Sequence, residues 1–334
     1  MNYEKITASA GELAAIRHDL HMHPELCFAE FRTSKIVAEE LHKLGFSVTT
    51  GIAGTGVIGT LVKGTGRRTI GIRADMDALP IHETSNLPYA SRSPGKMHAC
   101  GHDGHTTMLL GAARYLASDL DFDGTVHLIF QPAEEDVSGA KRMIEEGLFK
   151  RFPCDAVFAL HNIPGDETGQ ISVRPGAITA AVDIVEVTVQ GLGGHGALPH
   201  MAADPIVAAS GIVLALQSIV ARNVDPHDPA VITVGSFNAG ALATIIPGEA
   251  RLKIGVRTCT RGTRELIRER IEALVDLQAK AFGCEADIVY NPGISYPPGY
   301  NTPECAELVR NVAIELGQDP ARIDLRGPYM FSED

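Results

Sequence analysis

The sequence predicts an α/β protein: a mostly parallel sheet with helices on both faces, interrupted by an inserted ferredoxin-like α+β domain. Three observations carry that prediction. Apolar β-branched runs alternate with amphipathic helical stretches through the first half, the layout of a parallel sheet covered on both sides. Residues able to bind metal follow directly after the strands, where an open α/β sheet gathers its ligands. At 334 residues the chain also exceeds what one hydrophobic core usually serves, so two domains are expected.

The elements follow in order. Residues 10–44 carry a helical pattern that breaks at His23-Pro24. Residues 57–62 and 69–74 are β-rich and bounded by glycines. Residues 106–120 put Leu109, Leu110, Ala113 and Leu116 on one face and read as a helix. A strand at 125–130 is ended by Pro132, a helix follows at 138–148, and another strand at 155–160. The character changes at about Val182. A strand at 182–190 leads through a glycine-rich loop to a helix at 204–221, strands at 231–237 and 250–257, a charged helix at 263–282 and a strand at 285–290. That β-α-β-β-α-β order is the ferredoxin-like unit, which can bury a core of its own. Residues 182–292 therefore read as an insertion, and residues 1–181 with 293–334 as one discontinuous domain.

Composition narrows the function. With 45% hydrophobic and 21% charged residues the chain has the balance of an ordinary soluble protein. Its 41 acidic against 29 basic residues give a net charge of −12, and no Lys/Arg-rich run is present, which argues against a nucleic-acid partner. Met1-Asn2-Tyr3-Glu4-Lys5 lacks the pattern of a signal peptide, and no apolar run reaches membrane-spanning length. The six cysteines form no CxxC and no dense framework, so they are read as reduced thiols in a cytoplasmic protein.

Met97-His98-Ala99-Cys100-Gly101-His102-Asp103-Gly104-His105 packs three imidazoles and a thiol into one short stretch, and Gln131-Pro132-Ala133-Glu134-Glu135 supplies paired carboxylates. Cys, His and Glu bind zinc-like metals, and a spare carboxylate can act as a general base. Cys100, His102, Glu135 and His161 are the proposed metal shell, with Glu134 as base; a thiolate on a metal is deprotonated outright, so Cys100 can bridge two cations. Asp75 and Asp77 read as groups that orient an imidazole, Asp77 being counted with the catalytic set. Asp75 has a bland alternative, pairing with Arg73 or capping a turn. His18, His21 and His23 have no cysteine or carboxylate pair nearby and read as structural. Gly54-Thr55-Gly56-Val57-Ile58-Gly59 matches the dinucleotide pattern GxGxxG, but it precedes a β-branched run instead of joining a strand to a helix, so a hairpin turn is the reading. A nicotinamide-dependent oxidoreductase would rest on that match alone. Gly193-Gly194-His195-Gly196-Ala197-Leu198-Pro199-His200 permits two readings, a turn before a helix or a loop that brings an imidazole to an oxyanion.

Together HACGHDGH, QPAEE, RADMDALP (residues 73–80) and GGHGALPH resemble the aminoacylase and carboxypeptidase-G-type metallopeptidases, in the branch of hippurate, N-acyl-amino-acid and indole-acetyl-amino-acid hydrolases. The likeness runs from Arg17-His18-Asp19-Leu20 to Ser332-Glu333-Asp334. It implies an α/β catalytic domain interrupted by a lid or dimerisation domain, and two divalent cations (Zn, Mn, Ni or Co) without an organic cofactor. Cys100, His102, Glu135 and His161 fall on the family's ligand positions and Glu134 on its base. His195 falls on a lid histidine that reaches the partner subunit's site in dimeric relatives. The expected activity is hydrolysis of the amide of an N-acyl amino acid by a homodimer or higher homo-oligomer, with no nucleic-acid or membrane partner. Arg257 reads either as the group that meets the substrate carboxylate or as a surface ion pair. Three departures accompany the likeness: Thr244 stands where relatives carry Asn, Phe331 where they carry Gly, and the chain as read stops before the family's last histidine ligand. The expectation is one poorly held cation and weak activity, the alternative being a metal-binding protein impaired in catalysis.

Overall fold

The computed structural model describes residues 7–118, 120–136, 138–321, 323 and 327–334, and the backbone but not the side chains of 292–294; the amino-terminal stretch read for a signal peptide lies outside the described residues. The chain forms two compact units, one of Met1–Glu167 with Asp334 and one of Thr168–Glu333.

In the first unit the elements run α1 (Ala10–Met22), α2 (Phe31–Lys43), β1 (Ser47–Ile52), β2 (Gly56–Lys63), β3 (Thr69–Asp75), α3 (His102–Ser118), β4 (Gly124–Gln131), α4 (Gly139–Glu145) and β5 (Ala156–Ala159). The five strands lie in the order β1-β2-β4-β3-β5. Strands β4, β3 and β5 are parallel, whereas β1 and β2 pair antiparallel with each other and β2 pairs antiparallel with β4. The sheet is therefore mixed, not mostly parallel. The cause is the short connection Ala53-Gly54-Thr55, which can close a hairpin but cannot make the crossover that a parallel pair needs. The same turn is where GxGxxG begins, so those glycines serve a hairpin. Strand β1, polar on its first residues, had no apolar run to announce it.

Both faces of this sheet are covered. Val37 and Leu41 of α2 and Leu109, Leu110, Ala113 and Leu116 of α3 pack against Val126, Leu128 and Phe130 of β4. On the opposite face Ile129 joins Ile52, Ile58, Met143 and Leu148. The alternation along β4 follows from the two-residue period of a strand. Asp334 returns to this unit, its carboxylate accepting the Ala140 N–H at 3.0 Å.

The second unit contains β6 (Ala181–Gln190), α5 (Pro205–Arg222), β7 (Ala230–Ala239), β8 (Glu249–Thr258), α6 (Arg261–Ala281), β9 (Glu285–Tyr296) and α7 (Pro303–Glu315). Its sheet is antiparallel throughout in the order β9-β6-β8-β7, and α5 and α6 bury Ile212, Leu216, Ile219, Ile267, Ile271 and Val275 against Val185, Val187, Leu252 and Ile254. Asp204 caps α5 by accepting the Ile206 N–H, and Thr260 caps α6 by accepting that of Thr263. Contrary to the expectation from the sequence, α5 is long and apolar enough by composition to cross a membrane, with mean hydropathy 1.6. It instead lays Ala208, Ala209, Ile212, Leu216 and Ile219 on the sheet. This unit extends on both sides of residues 182–292, because Gly176–Ala177 pairs with Tyr300–Asn301 and Thr179 bridges to Tyr329.

One buried charge ties the second unit together. Asp183 accepts two hydrogen bonds from the Arg264 guanidinium, at 2.6 and 2.7 Å, and others from Asn291 and Ser295. Burial alone would raise its pKa, but Arg264 and Asn291 hold it below the usual carboxylate range. A carboxyl depressed in the fold adds stability above its unfolded pKa, and that share is lost as pH falls through the folded value. Arg264→Leu is expected to cost about 2–4 kcal/mol near neutral pH, since it strands a buried carboxylate. The difference from the parent should shrink toward acid pH. Urea unfolding of both proteins at neutral and acid pH measures it; a gap that is constant with pH would deny the ion pair its role.

Candidate metal centre

Because β3, β4 and β5 are parallel and adjacent, their carboxyl ends lie at one edge of the sheet. Asp75 ends β3 and Asp77 follows it; Glu134 and Glu135 come just after β4, His161 just after β5, and α3 starts at His102. Sheet topology therefore gathers residues that are as much as 86 positions apart, from Asp75 to His161.

The ligand atoms of Cys100, His102 and His161 lie within 4.8 Å of one another, and so do those of His102, Glu134 and Glu135. Cys100 Sγ is 3.3 Å from His161 Nε2, whose Nδ1 is 2.7 Å from the Asn162 carbonyl oxygen. That contact makes Nδ1 the protonated nitrogen and turns Nε2 toward the thiol. Between Cys100 and His102 the backbone turns at Gly101 with φ +101°, and a Cβ there would meet Asn162 Oδ1 at 2.3 Å. Only glycine allows the thiol and the first imidazole of α3 to face the same point.

Asp77 organises the rest. Its Oδ1 accepts the Glu134 N–H at 3.0 Å and lies 3.3 Å from His102 Nδ1; its Oδ2 accepts the Glu135 N–H at 2.9 Å and the Cys27 thiol at 3.2 Å. With Nδ1 held, His102 directs Nε2 at the carboxylates, 3.9 Å from both Glu134 and Glu135. His102 Nε2 and Glu135 Oε1 are buried and have no hydrogen-bond partner among the described residues. Buried polar atoms are seldom left so. Two such atoms facing a thiol, a second imidazole and another carboxylate form a donor set that fits a divalent cation.

The electrostatics agree. Burial would lower the pKa of His102, yet the hydrogen bond to Asp77, the nearby Cys100 thiol and the charges of Asp75 and Asp77 push it up to about 12. The site thus attracts positive charge strongly, and a cation satisfies the same field as a proton. Burial raises Glu135, partly opposed by the charge of His102, and burial likewise raises the Cys100 thiol.

The family model described as peptidase family M20/M25/M40 matches residues 71–334. The chain belongs to that family. Among curated M20 relatives, hippurate hydrolase of Campylobacter jejuni is 47% identical over 325 residues, 97% of this chain and 84% of that protein. The IAA-amino acid hydrolase ILR1-like 5 of Arabidopsis thaliana is 40% identical over 96% of this chain and 74% of its own length. Among solved structures, a Bacillus subtilis dinuclear metal-binding peptidase of the M20 family superposes with a TM-score of 0.85 at 32% identity, covering 98% of this chain and 84% of that one.

In this M20 chain the proposed metal set and Glu134 come together in the first unit. Asp75 lies 2.6 Å from His105 Nδ1 and accepts a hydrogen bond from Arg73 at 2.8 Å, while staying 3.8 Å from His102 Nε2. Burial alone would raise its pKa; the Arg73 charge and the His105 hydrogen bond hold it far below the carboxylate range. His105 stands in the His-Cys cluster and Cys27 among the thiols, but neither they nor Asn162 are expected from the sequence to support the site. His105 shares the face of His102 three residues on, a visible signal, but Asp75 and Asn162 occupy both its nitrogens, so it buttresses the cluster. His98, which burial pushes down to about 4, joins no group of ligand atoms among the described residues. His195 and Arg257 belong to the second unit. His195 is exposed on a two-residue strand paired with Ile245–Ile246, and Arg257, half-buried on β8, donates a hydrogen bond to Ser332.

Asp77→Asn places an amide where four donors converge, so it is expected to weaken zinc binding roughly 10–100-fold with the fold retained. Competition against a fluorescent chelator, with circular dichroism as the control, measures this. Zinc affinity equal to the parent's would remove Asp77 from the centre.

Proposed function

We propose that this chain hydrolyses the amide of N-acyl amino acids of the hippurate type, releasing a carboxylic acid and an amino acid, at a two-cation centre held by Cys100, His102, Glu135 and His161. The observation that carries the proposal is the convergence of the Glu134–Glu135 pair on a thiol and two imidazoles, with His102 Nε2 and Glu135 Oε1 buried and without a hydrogen-bond partner among the described residues. The hydrolases of hippurate and of indole-acetyl conjugates among its relatives support the substrate class. Zinc, manganese, nickel and cobalt all suit this mixed S/N/O set. When bound, such cations polarise the scissile carbonyl and acidify water from a pKa of about 15.7 toward roughly 7.

The chain's own groups divide the remaining work. Glu134 takes the proton of the attacking water as the C–O bond forms and then hands it to the amine nitrogen, so that the C–N bond breaks with a neutral amine departing. Asp77 keeps His102 in one tautomer and fixes the backbone from which both carboxylates project. Residues 182–292 serve as a ferredoxin-like lid and dimerisation domain, whose edge strands β7 and β9 offer unpaired backbone groups to a second copy. The ring of His195 accepts the Ala197 N–H on Nδ1, so its neutral form carries the proton on Nε2, the donor offered to an oxyanion in the partner's site. Arg257 meets the substrate carboxylate. All six thiols are free, in keeping with a cytoplasmic enzyme.

Hippurate turnover in the presence of Mn²⁺ or Zn²⁺, abolished by chelation, tests the activity. Within it, Glu134→Gln is expected to keep its metal and lose about 10²–10⁴-fold in kcat. A variant that stays active, or that loses its metal, would refute the role of Glu134 as base.

The lid role has its own test. His195→Ala chains mixed with Glu134→Gln chains should recover part of the activity both parents lack, because one site per heterodimer then holds an intact Glu134 and a donated His195. No recovery in a verified heterodimer would take His195 out of the partner's site.

A further inference from the structure

Ala133, the residue just before the catalytic carboxylates, is fully buried and has φ +52°. That left-handed conformation is unfavourable for any residue with a Cβ, and alanine has no side-chain polar group to stabilise it locally. Something outside the turn must hold it there. The Ala133 N–H donates to Glu30 Oε1 at 2.9 Å. The same oxygen accepts the N–H of Phe28 at 3.0 Å, and Phe28 also has a left-handed φ, +59°. The other oxygen accepts the Thr55 hydroxyl at 2.6 Å. Glu30 and Thr55 are both buried, on the segment before α2 and in the β1–β2 hairpin.

Three consecutive N–H groups, of Ala133, Glu134 and Glu135, thus end on two buried carboxylates, Glu30 and Asp77. Asp77 relates the last two to His102. Glu30 fixes the first, and with it the sense of the turn from which both side chains leave.

We propose that Glu30 is a positioning residue of the active site, its carboxylate clamping Ala133 in the left-handed turn that aims Glu134 and Glu135 at the metal centre. The proposal rests on the reading of Glu134 as base and Glu135 as ligand. What matters is reach, not charge. A glutamine can keep both N–H acceptances on its amide oxygen while its NH₂ donates to the Thr55 hydroxyl. An aspartate keeps the charge but falls one methylene short of Ala133.

The experiment compares Glu30→Gln, Glu30→Asp, Ala133→Gly and the double variant Glu30→Asp/Ala133→Gly. Readouts are zinc affinity, kcat on hippurate, and amide hydrogen exchange across residues 131–136. Glu30→Gln should bind zinc within a few-fold of the parent. Glu30→Asp should lose roughly 10–100-fold in affinity, the usual size of a supporting-residue effect, and exchange faster at 133–135. Glycine adopts positive φ at no steric cost, so Ala133→Gly should restore most of the loss in the Asp background while altering the parent little. The opposite ranking, Asp retained and Gln lost, or a double variant no better than Glu30→Asp, would overturn the proposal. Should the parent itself neither bind zinc nor turn over hippurate, the proposed function falls. The exchange rates then still decide whether Glu30 clamps the turn.

Discussion

The centre depends on one buried carboxylate, Asp77, and on the four donors that converge on it. A lone carboxylate in an apolar interior would be expelled or protonated. Here burial pushes its pKa upward, but the hydrogen bond and charge of His102, the Glu135 N–H and the Cys27 thiol more than reverse that and hold it below the usual carboxylate range. Because its partners come from α3, from the turn after β4 and from the loop after α1, one side chain fixes three segments relative to one another. Once Asp77 holds Nδ1 of His102, its Nε2 faces the two glutamates, 3.9 Å from each.

This arrangement concentrates negative charge around a buried imidazole, and the hydrogen bond to Asp77 with the charges of Asp75 and Asp77 pushes the pKa of His102 up, a field that a cation would satisfy as well. The neighbouring pair Asp75–His105 is closed on itself, each group satisfied by Arg73, Asn162 or the other. Two histidines three residues apart on one helix face therefore have different fates. His102 is left with an open nitrogen and His105 with none. The difference lies in which aspartate each ring meets, Asp77 or Asp75.

The mixed sheet serves the same end. Antiparallel β1 and β2 form one flank and bring the Thr55 hairpin beneath the turn after β4, where it meets Glu30. Parallel β4, β3 and β5 form the other flank and align their carboxyl ends, from which the acidic and imidazole groups project. A wholly parallel sheet would supply the aligned ends but not the hairpin that supports Glu30.

By itself the sequence named the candidate donors of the centre and the order of its elements. HACGHDGH and QPAEE name donors that few other roles would bring together. The two-residue and 3.6-residue periods locate most strands and helices because the core they face is apolar along its whole length. The β-α-β-β-α-β run of the second unit was legible for that reason, and its strand order β9-β6-β8-β7 follows. Tertiary structure alone decided the rest. Strand β1 has too few apolar residues to give a period, and its pairing is set by the hairpin that follows it. Cys27 and Glu30 carry no local signature, since their partners Asp77 and Ala133 lie 50 and 103 residues away. Whether His102 or His105 keeps an open nitrogen depends on contacts that form only when β3 and α3 pack. Local pattern records which face of an element is apolar; which polar atoms meet across the sheet edge is fixed only once the chain has closed on itself.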